Sequence, residues 1–336
     1  MYRAAVIGCG GIGSQLQFDP GATKYGVCTH AAAYDAYKDT ELVSLCDTND
    51  NNLNTSMQYW NVKNGYSDWN DLLIESKPDI VSICTPTSTH FDIAVACIDS
   101  GFVKGILLEK PVAENTEQAK KILKALKKSN VKVLVNYRRR FLKPIKSLKQ
   151  TIDKLKLGKP LLIRGLYTKG IVHNGSHWVD LLRYLFGDPA WLEAEDRLQD
   201  GNNDPGLDVV FGFDSGLRAH LSAFSSNCYT IFEMDIFLSN GRIRITEGSE
   251  SIYVYEVIDN YPFNGYRALN PKGSKSKYMF NWMSEVLDDL IYSVNNNVDP
   301  ICTINDGIEN QRITSIAKSS MNDKLQKEGC INKVIL

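Results

Sequence analysis

The chain has 336 residues, which is more than one compact core usually holds and is comfortable for two domains. With 43% hydrophobic and 23% charged residues, its composition is that of an ordinary globular protein. The 38 basic and 39 acidic residues nearly cancel, which excludes a strong overall field for nucleic acid. No apolar stretch approaches the roughly 18 residues that a membrane helix needs, so we expect neither nucleic acid nor a membrane as a partner.

The first residues of the chain and the cysteines bear on the cellular compartment of the protein. Residues 1–8 lead straight into a predicted strand, which leaves no room for a signal peptide. The eight cysteines are scattered without a Cys-x-x-Cys pair, and several lie inside apolar runs, where a free thiol behaves as a small hydrophobe. We therefore expect a cytoplasmic protein.

The first 135 residues alternate short apolar runs with helical patterns. Each run has three to five residues and is apolar nearly throughout, as in strands that are buried on both faces of a parallel sheet. The predicted strands are 4–7, 42–46, 80–84, 106–108 and 131–135, and the predicted helices are 31–37, 68–76, 90–99 and 117–128. This alternation predicts an α/β fold that begins with a doubly wound Rossmann domain, residues 1–138.

The remainder has a different pattern. Residues 208–257 show period-two alternation, with turn signals at 214–216 and 239–241 that are typical of hairpins. Helices are predicted at 144–155, 177–186, 280–295 and 306–320, and a strand at 161–167. We therefore predict a second α/β domain, residues 139–336, with a mostly antiparallel open sheet.

A glycine-rich turn, Gly8-Cys9-Gly10-Gly11-Ile12-Gly13, follows the first strand and opens a helical pattern. In this context it predicts a dinucleotide site: Gly8 permits the turn, Gly10 lets pyrophosphate approach the backbone, and Gly13 lets helix and strand pack closely. The phosphates would lie at the helix N-terminus. The alternative is a glycine turn with a purely structural role.

Asp47 follows the second predicted strand, where an acidic residue binds the ribose hydroxyls in such domains. Its distance from the glycines exceeds the usual ~20 residues, which we attribute to an insertion at about 18–28 that cannot continue a helix. A carboxylate here would repel a 2′-phosphate and favours NAD over NADP. Alternatively, Asp47 only begins a turn.

Four further segments complete a recognisable set. They are CTPTSTH at 84–90, EKP at 109–111, NYRRRF at 136–141 and GSHWVD at 175–180. Together with the glycine-rich turn, they resemble the Gfo/Idh/MocA family of sugar and polyol dehydrogenases, which includes glucose–fructose oxidoreductase and inositol dehydrogenase. The resemblance covers nearly the whole chain.

The resemblance implies a Rossmann domain and a second α/β domain whose open sheet forms a subunit interface, and hence a homo-oligomer, dimer or tetramer. It also implies a set of residues that contact the cofactor, of which Glu109 and Lys110 lie beside the nicotinamide ribose and the reaction centre. The set is Thr85, Pro86, Thr87, His90, Glu109, Lys110, Asn136 and Arg140.

Oxidation of a secondary alcohol needs a group that steadies or accepts the hydroxyl proton. Lys110, at the end of a buried strand, could bind the reacting oxygen and stabilise a developing alkoxide. His177, in the first turn of a helix, could act as the general acid or base. From spacing alone, Lys110 could instead be a surface lysine before a turn proline, and His177 a structural histidine; the resemblance favours the catalytic roles.

The chain departs from the family at His173, where many members have an aspartate that partners the catalytic histidine. This departure leaves the proton relay open. We expect no metal at His173 and His177, because Gly175 interrupts the helix and no carboxylate cluster joins them. Asp180 could orient His177 or cap the helix.

Substrate contacts are expected near these groups, from Lys110 and His177 together with Tyr167, His173, Asn174 and Trp178. Trp178 could stack on a sugar face or provide packing. One arginine of residues 138–140 could bind the cofactor edge or a substrate anion. The other charges of this segment, which include Lys143, Lys146 and Lys149, would form a solvated helix face.

These observations predict an NAD-dependent oxidoreductase that moves a hydride between the nicotinamide and a carbon of a sugar, nucleotide sugar or cyclic polyol. A non-catalytic NAD-binding sensor or co-repressor is one alternative, and intact Lys110 and His177 argue against it. NAD-dependent glycoside cleavage is another, because it shares the hydride step.

Overall fold

The computed structural model describes residues 1–259, 262–270, 273–277, 280–323 and 334–336. The chain forms two compact units, one from residues 1–142 and 280–311 and the other from residues 143–279 and 312–336. Each unit has its own sheet.

The first unit is built on a six-stranded sheet in which every neighbouring pair is parallel. Its strands are β1 (Tyr2–Ile7), β2 (Thr40–Cys46), β3 (Asn64–Tyr66), β4 (Ile80–Ile83), β5 (Gly105–Leu108) and β6 (Lys132–Val135). Their order, β3-β2-β1-β4-β5-β6, is the Rossmann order, so the predicted fold of this half is confirmed. Strands β4 and β5 are buried throughout, as their continuous apolar runs predicted.

The helices of this sheet are α1 (His30–Ala36), α2 (Asp50–Trp60), α3 (Trp69–Ser76), α4 (Thr87–Asp99) and α5 (Thr116–Leu126). Helix α5 is capped by Asn115, whose side chain accepts from the Gln118 backbone at 3.0 Å. Strand β3 and helix α2 were missed. The Asn-Gly-Tyr of β3 has no apolar run, and α2 is too polar to show a clear helical face.

A helix from late in the chain also belongs to the first unit. Helix α8 (Trp282–Asn296) buries Met283, Val286, Leu287 and Leu290, and it packs against β5 and β6. The division therefore differs from the predicted ranges 1–138 and 139–336, since the apolar face of α8 is covered by the parallel sheet rather than by the second one. The last helix, α9 (Ile304–Asp323), is divided between the units after Gln311.

The second unit is a mixed, mostly antiparallel sheet with helices α6 (Lys143–Asp153) and α7 (Ser176–Phe186). Its strands are β7 (Pro160–Tyr167), β8 (Trp191–Glu195), β9 (Asp208–Gly212), β10 (Arg218–Ala223), β11 (Phe232–Leu238), β12 (Gly241–Thr246), β13 (Ser251–Asp259), β14 (Arg267–Leu269), β15 (Ser274–Lys277) and β16 (Val334–Ile335). The order is β14-β13-β12-β11-β7-β10-β9-β8-β16, with β15 paired to β13. Both predicted hairpins, β9–β10 and β11–β12, are confirmed.

The strands of this sheet alternate between buried and partly exposed residues, so one face is covered and the other is open. The central pair β7 and β10 is parallel, which the period-two pattern alone does not reveal. Among the described residues, no helix is both long enough and apolar enough to cross a bilayer.

Candidate active site

The glycine-rich turn after β1 contains two glycines that the fold itself requires. Gly8 has φ +96°, and a β-carbon there would lie 2.6 Å from the carbonyl carbon and oxygen of Cys84. A β-carbon at Gly13 would collide with the carbonyl oxygen of Gly8. The turn is therefore closed tightly against the end of β4.

The two glycines between them have a different environment. In the described part of the chain, no atom lies within 4 Å of a β-carbon built at Gly10 or Gly11. Since internal packing does not demand glycine here, the open space next to this backbone fits the predicted approach of a pyrophosphate.

The segment after the turn corrects one prediction. The Gly10 carbonyl accepts from Ser14 and Gln15, but 3₁₀ turns at Gln15–Phe18 and Pro20–Tyr25 follow instead of a continuous helix. Helix α1 begins only at His30. The predicted helix directly after the turn is thus wrong, whereas the predicted insertion is present.

Asp47 joins the loop after β2 to the glycine-rich turn. Its Oδ2 accepts from the Cys9 backbone at 2.7 Å, and its Oδ1 accepts from the Asn49 backbone at 2.8 Å. The carboxylate therefore begins a turn, as the alternative interpretation held. It is only partly buried, and an ionised carboxylate has capacity for further donors, so the ribose-binding role stays a prediction.

His90 joins the turns that follow β4 and β5. Its side chain is buried, with Nδ1 2.8 Å from the Pro111 carbonyl oxygen and Nε2 2.9 Å from the Thr85 carbonyl oxygen. Both ring nitrogens are therefore engaged by the protein itself. The structure gives His90 a role in holding Thr85 and Pro111, and its contact with the cofactor stays a prediction. Thr87, which follows Pro86, is the first residue of α4.

Glu109, directly after β5, is the centre of a buried polar cluster. Its side chain is 13% exposed, and its Oε1 accepts from Asn136 Nδ2 at 2.6 Å and lies 3.0 Å from His30 Nε2. Burial alone would raise the pKa of the Glu109 carboxyl. The bonds from His30 and Asn136 and the charge of Lys110 outweigh burial, so the pKa lies below its usual value.

Lys110 is half-buried at the carboxyl end of β5, and its backbone N–H faces Glu109 Oε2 at 3.3 Å. Parallel α/β sheets hold their ligands at this edge. Lys110 thus combines an ammonium group with an ionised neighbour at the expected place for a reaction centre.

In the second unit, the predicted histidines lie on one segment. A π-helical turn, Gly170–Gly175, leads into α7, and it carries His173 and Asn174 just before His177. His173 is exposed, whereas Asn174 and His177 are partly exposed.

Two predicted substrate contacts of this unit are wrong. Tyr167 is fully buried, and its hydroxyl donates to the Leu207 carbonyl at 2.6 Å and accepts from the Leu207 N–H at 2.9 Å. Trp178 is also fully buried; it stacks on Phe232 with ring centroids 4.0 Å apart and donates to the Leu166 carbonyl. Both side chains belong to the core, so the packing alternative for Trp178 is correct.

The comparisons with known proteins agree with this geometry. Residues 2–137 match the family model described as an oxidoreductase family with an NAD-binding Rossmann fold, GFO_IDH_MocA. The myo-inositol 2-dehydrogenase of Thermotoga maritima is 24% identical over 349 aligned residues, which span 96% of this chain and 97% of that protein. Residues 2–137 belong to the Gfo/Idh/MocA oxidoreductase family.

Solved structures show the fold over the whole chain. A levoglucosan dehydrogenase in complex with NADH superposes with a TM-score of 0.78 at 18% identity, covering 99% of this chain and 98% of that one. The WlbA dehydrogenase from Bordetella pertussis, in complex with NADH and UDP-GlcNAcA, gives a TM-score of 0.74 at 16% identity, covering 100% and 98%. At these identities the likeness shows the fold alone.

The arginines after β6 make contacts within the first unit. Arg140 Nη1 lies 2.9 Å from Asp306 Oδ1, and both Arg139 and Arg140 are buried. Arg138 lies over the ring of Trp282, 4.5 Å from its centroid. The expectation of a solvated face is therefore wrong for Arg139, whereas Lys143 is exposed and Lys146 and Lys149 are partly exposed. A cofactor contact by Arg140 stays a prediction, although Asp306 already engages its guanidinium.

Sequence reasoning missed two residues that shape this Gfo/Idh/MocA site. His30, in the first turn of α1, contacts Glu109. The sequence signal that could have indicated it is a histidine at the N-terminus of the first helix after the insertion. Asp204 accepts from the backbone of Val172 at 2.9 Å and of His173 at 2.8 Å. No local pattern marks Asp204, because it lies in a loop far along the chain. Asp180 lies inside α7 rather than at its cap, which is at Gly175.

Proposed function

We propose that the chain is an NAD-dependent dehydrogenase or reductase that acts on a CH–OH group of a sugar, nucleotide sugar or cyclic polyol. The observation that carries the proposal is Lys110 at the carboxyl end of β5, beside the buried, ionised Glu109. Hydride transfer to or from an alcohol carbon needs a fixed donor at the carbinol oxygen, and an ammonium in this place provides one.

The residues of the first unit fit a dinucleotide. The space beside Gly10 is open, and the Asn136 Oδ1 atom is buried without a hydrogen-bond partner among the described residues, as an acceptor kept for a ligand or a water would be. NAD, when bound, supplies the hydride acceptor. Asp47 would bind the ribose hydroxyls and would repel a 2′-phosphate, which favours NAD over NADP.

In the proposed reaction, Lys110 donates a hydrogen bond to the carbinol oxygen and stabilises the charge that develops there. His177 accepts the hydroxyl proton during oxidation and returns it during reduction. His173 and Asn174 lie on the same segment and are proposed to contact the substrate's other hydroxyls. Lys110 belongs to the first unit and His177 to the second.

The substrate class is supported by the relatives. Those compared here are named for myo-inositol and levoglucosan, and one structure holds UDP-GlcNAcA. These compounds share a ring with several hydroxyl groups. Polar groups on an exposed turn, rather than an apolar pocket, suit such a ring.

The test is NADH formation, followed by absorbance, with a panel of cyclic polyols, free sugars and nucleotide sugars. We expect turnover with at least one of them. Lys110→Met should still bind NADH but lose about 10²- to 10⁴-fold in kcat. Lys104→Met is the matched control, because Lys104 lies at the opposite end of β5 and pairs with Asp79 at 2.7 Å.

Equal turnover by Lys110→Met and the native protein would remove Lys110 from the mechanism. NADH binding without turnover of any compound would instead support a sensor. Release of an aglycone from a glycoside, with no net change in NADH, would identify glycoside cleavage.

We further propose a cytoplasmic homo-oligomer that associates through the open face of the second sheet. On that face Asp235 pairs with Arg242 at 2.8 Å and with Arg244 at 3.0 Å. Light scattering after chromatography should give a dimer or tetramer mass. A monomer mass at micromolar concentration would contradict this assembly.

A further inference from the structure

A line of buried hydrogen bonds leads from α1 to the reaction centre of the first unit. The Tyr34 hydroxyl lies 2.8 Å from Ser82 Oγ, and Ser82 Oγ lies 2.9 Å from His30 Nδ1. His30 Nε2 lies 3.0 Å from Glu109 Oε1. Tyr34, Ser82 and His30 are 1%, 0% and 0% exposed, so bulk water does not replace any of these bonds. Such a network is stable only when each member is satisfied.

The chemistry of the four groups gives the line a direction. An ionised Glu109 only accepts hydrogen bonds, so the bond from His30 requires a hydrogen on Nε2. In a neutral imidazole, Nδ1 then accepts from Ser82, and the Ser82 oxygen accepts from Tyr34. Every donor thus points towards Glu109.

The backbone of His30 makes a second connection. Its N–H donates to the Ile12 carbonyl at 3.2 Å, and the next N–H, that of Ala31, donates to the Gly13 carbonyl at 2.9 Å. Through these bonds, α1 is attached directly to the glycine-rich turn despite the insertion. One residue therefore links the turn on the phosphate side to the strand end that carries Lys110.

We propose that His30 is a positioning residue: it holds the Glu109 carboxylate in one orientation, and Glu109 in turn fixes the place and charge of Lys110. The inference rests on the proposed dehydrogenase function. With Oε1 occupied by His30 and Asn136, the other oxygen, Oε2, stays directed at residue 110. Loss of the imidazole frees the carboxylate to rotate, and Lys110 loses its fixed neighbour.

The first test uses three variants of the full chain with a turned-over substrate. His30→Leu removes the donor and should lower kcat by about 10- to 100-fold, since a small misplacement of a reacting group costs up to about 10²-fold. The Kd for NADH should stay within twofold. His30→Gln supplies an amide N–H that reaches as far as Nε2, and it should recover most of the loss. Tyr34→Phe, at the far end of the line, should have the smallest effect.

A double-mutant cycle of His30 and Glu109 distinguishes a positioning role of His30 from a general structural role. If His30 acts through Glu109, the double variant His30→Leu/Glu109→Gln should be no slower than Glu109→Gln alone. An additive loss in the double variant, or a native kcat in a folded His30→Leu, would overturn the proposal.

A second measurement needs neither a variant nor a substrate. In the native protein with ¹⁵N-labelled histidine, NMR should show the His30 hydrogen on Nε2 and an unprotonated Nδ1. A hydrogen on Nδ1 alone would overturn the proposal even if the enzyme is active. Conversely, an Nε2 hydrogen in a protein that turns over no sugar would contradict the proposed function while leaving the His30–Glu109 bond established.

Discussion

The strand end that carries Glu109 and Lys110 and the turn that carries His173 and His177 are held in different ways. In the first unit, a buried carboxylate is bound by side chains from α1 and from the residue after β6. In the second, the backbone of the turn is held by Asp204, while His173 itself is exposed. Under the proposed function, the first region is a rigidly held cofactor side, and the second is a more exposed substrate side.

We expect the largest loss of stability at Gly8 in the first unit, where the surrounding backbone leaves no space for a side chain. Gly8→Ala would place a methyl group 2.6 Å from the Cys84 carbonyl at a positive φ, so we expect a loss of about 3 kcal/mol or more in unfolding free energy. Urea denaturation measures it. Gly10→Ala is the matched control, because its β-carbon meets open space: stability should be nearly native, while NADH binding weakens. Equal stability of the two variants would contradict the assigned packing.

The next prediction concerns the turn before α7 in the second unit. Asp204→Ala removes the acceptor of two backbone N–H groups and should cost about 2 kcal/mol. Hydrogen exchange at Val172 and His173 should accelerate more than at β7. Asp200→Ala is the control, because Asp200 lies in the same loop and accepts from the backbone of the nearby Asn202. Unchanged exchange at the turn would show that Asp204 does not hold it.

A smaller effect distinguishes core from substrate site in the second unit. Tyr167→Phe removes a hydroxyl bonded twice to the Leu207 backbone, and we expect a loss of about 1 kcal/mol. KM should stay native, because Tyr167 is buried. A raised KM at native stability would restore Tyr167 as a substrate contact. Tyr229→Phe, on an exposed tyrosine, provides the baseline.

The smallest effect concerns pH and the late helices of the first unit. Burial opposes ionisation of Asp306, but Arg140 and Thr303 outweigh it and hold the pKa of that carboxyl below its usual value. A carboxyl whose pKa is depressed in the folded state stabilises the folded protein at pH values above the unfolded-state pKa of about 4. This contribution is lost as the pH falls through the folded-state pKa. Asp306→Asn should therefore flatten the decline of unfolding free energy below about pH 4. An unchanged slope would mean that other carboxyls dominate it.

Much of the first unit was predictable, because fully buried parallel strands produce apolar runs that are visible locally. The glycine-rich turn and the Glu-Lys-Pro segment were also visible, since each places several informative residues side by side. Strand β3 and helix α2 were not, because neither has an apolar period. The helix expected directly after Gly13 was wrong, since the insertion delays it until His30.

The side-chain environments were harder to predict. Tyr167 and Trp178 have both an apolar body and a polar tip, so the sequence could not distinguish a substrate contact from a buried hydrogen bond. Arg139 was expected on a solvated face because arginine usually is, but it is buried. The burial of Arg140 is compensated by its ion pair with Asp306.

By itself, the sequence determined the fold class of both units, the position of the glycine-rich turn and the motifs that mark the family, since these depend on residues close together along the chain. Only the tertiary structure decided that α8 joins the parallel sheet, that His30 meets Glu109, and that Asp204 holds the turn before α7. Those contacts join residues tens of positions or more apart in the sequence. The hydrogen bonds that specify them produce no periodic sequence pattern from which they could be predicted.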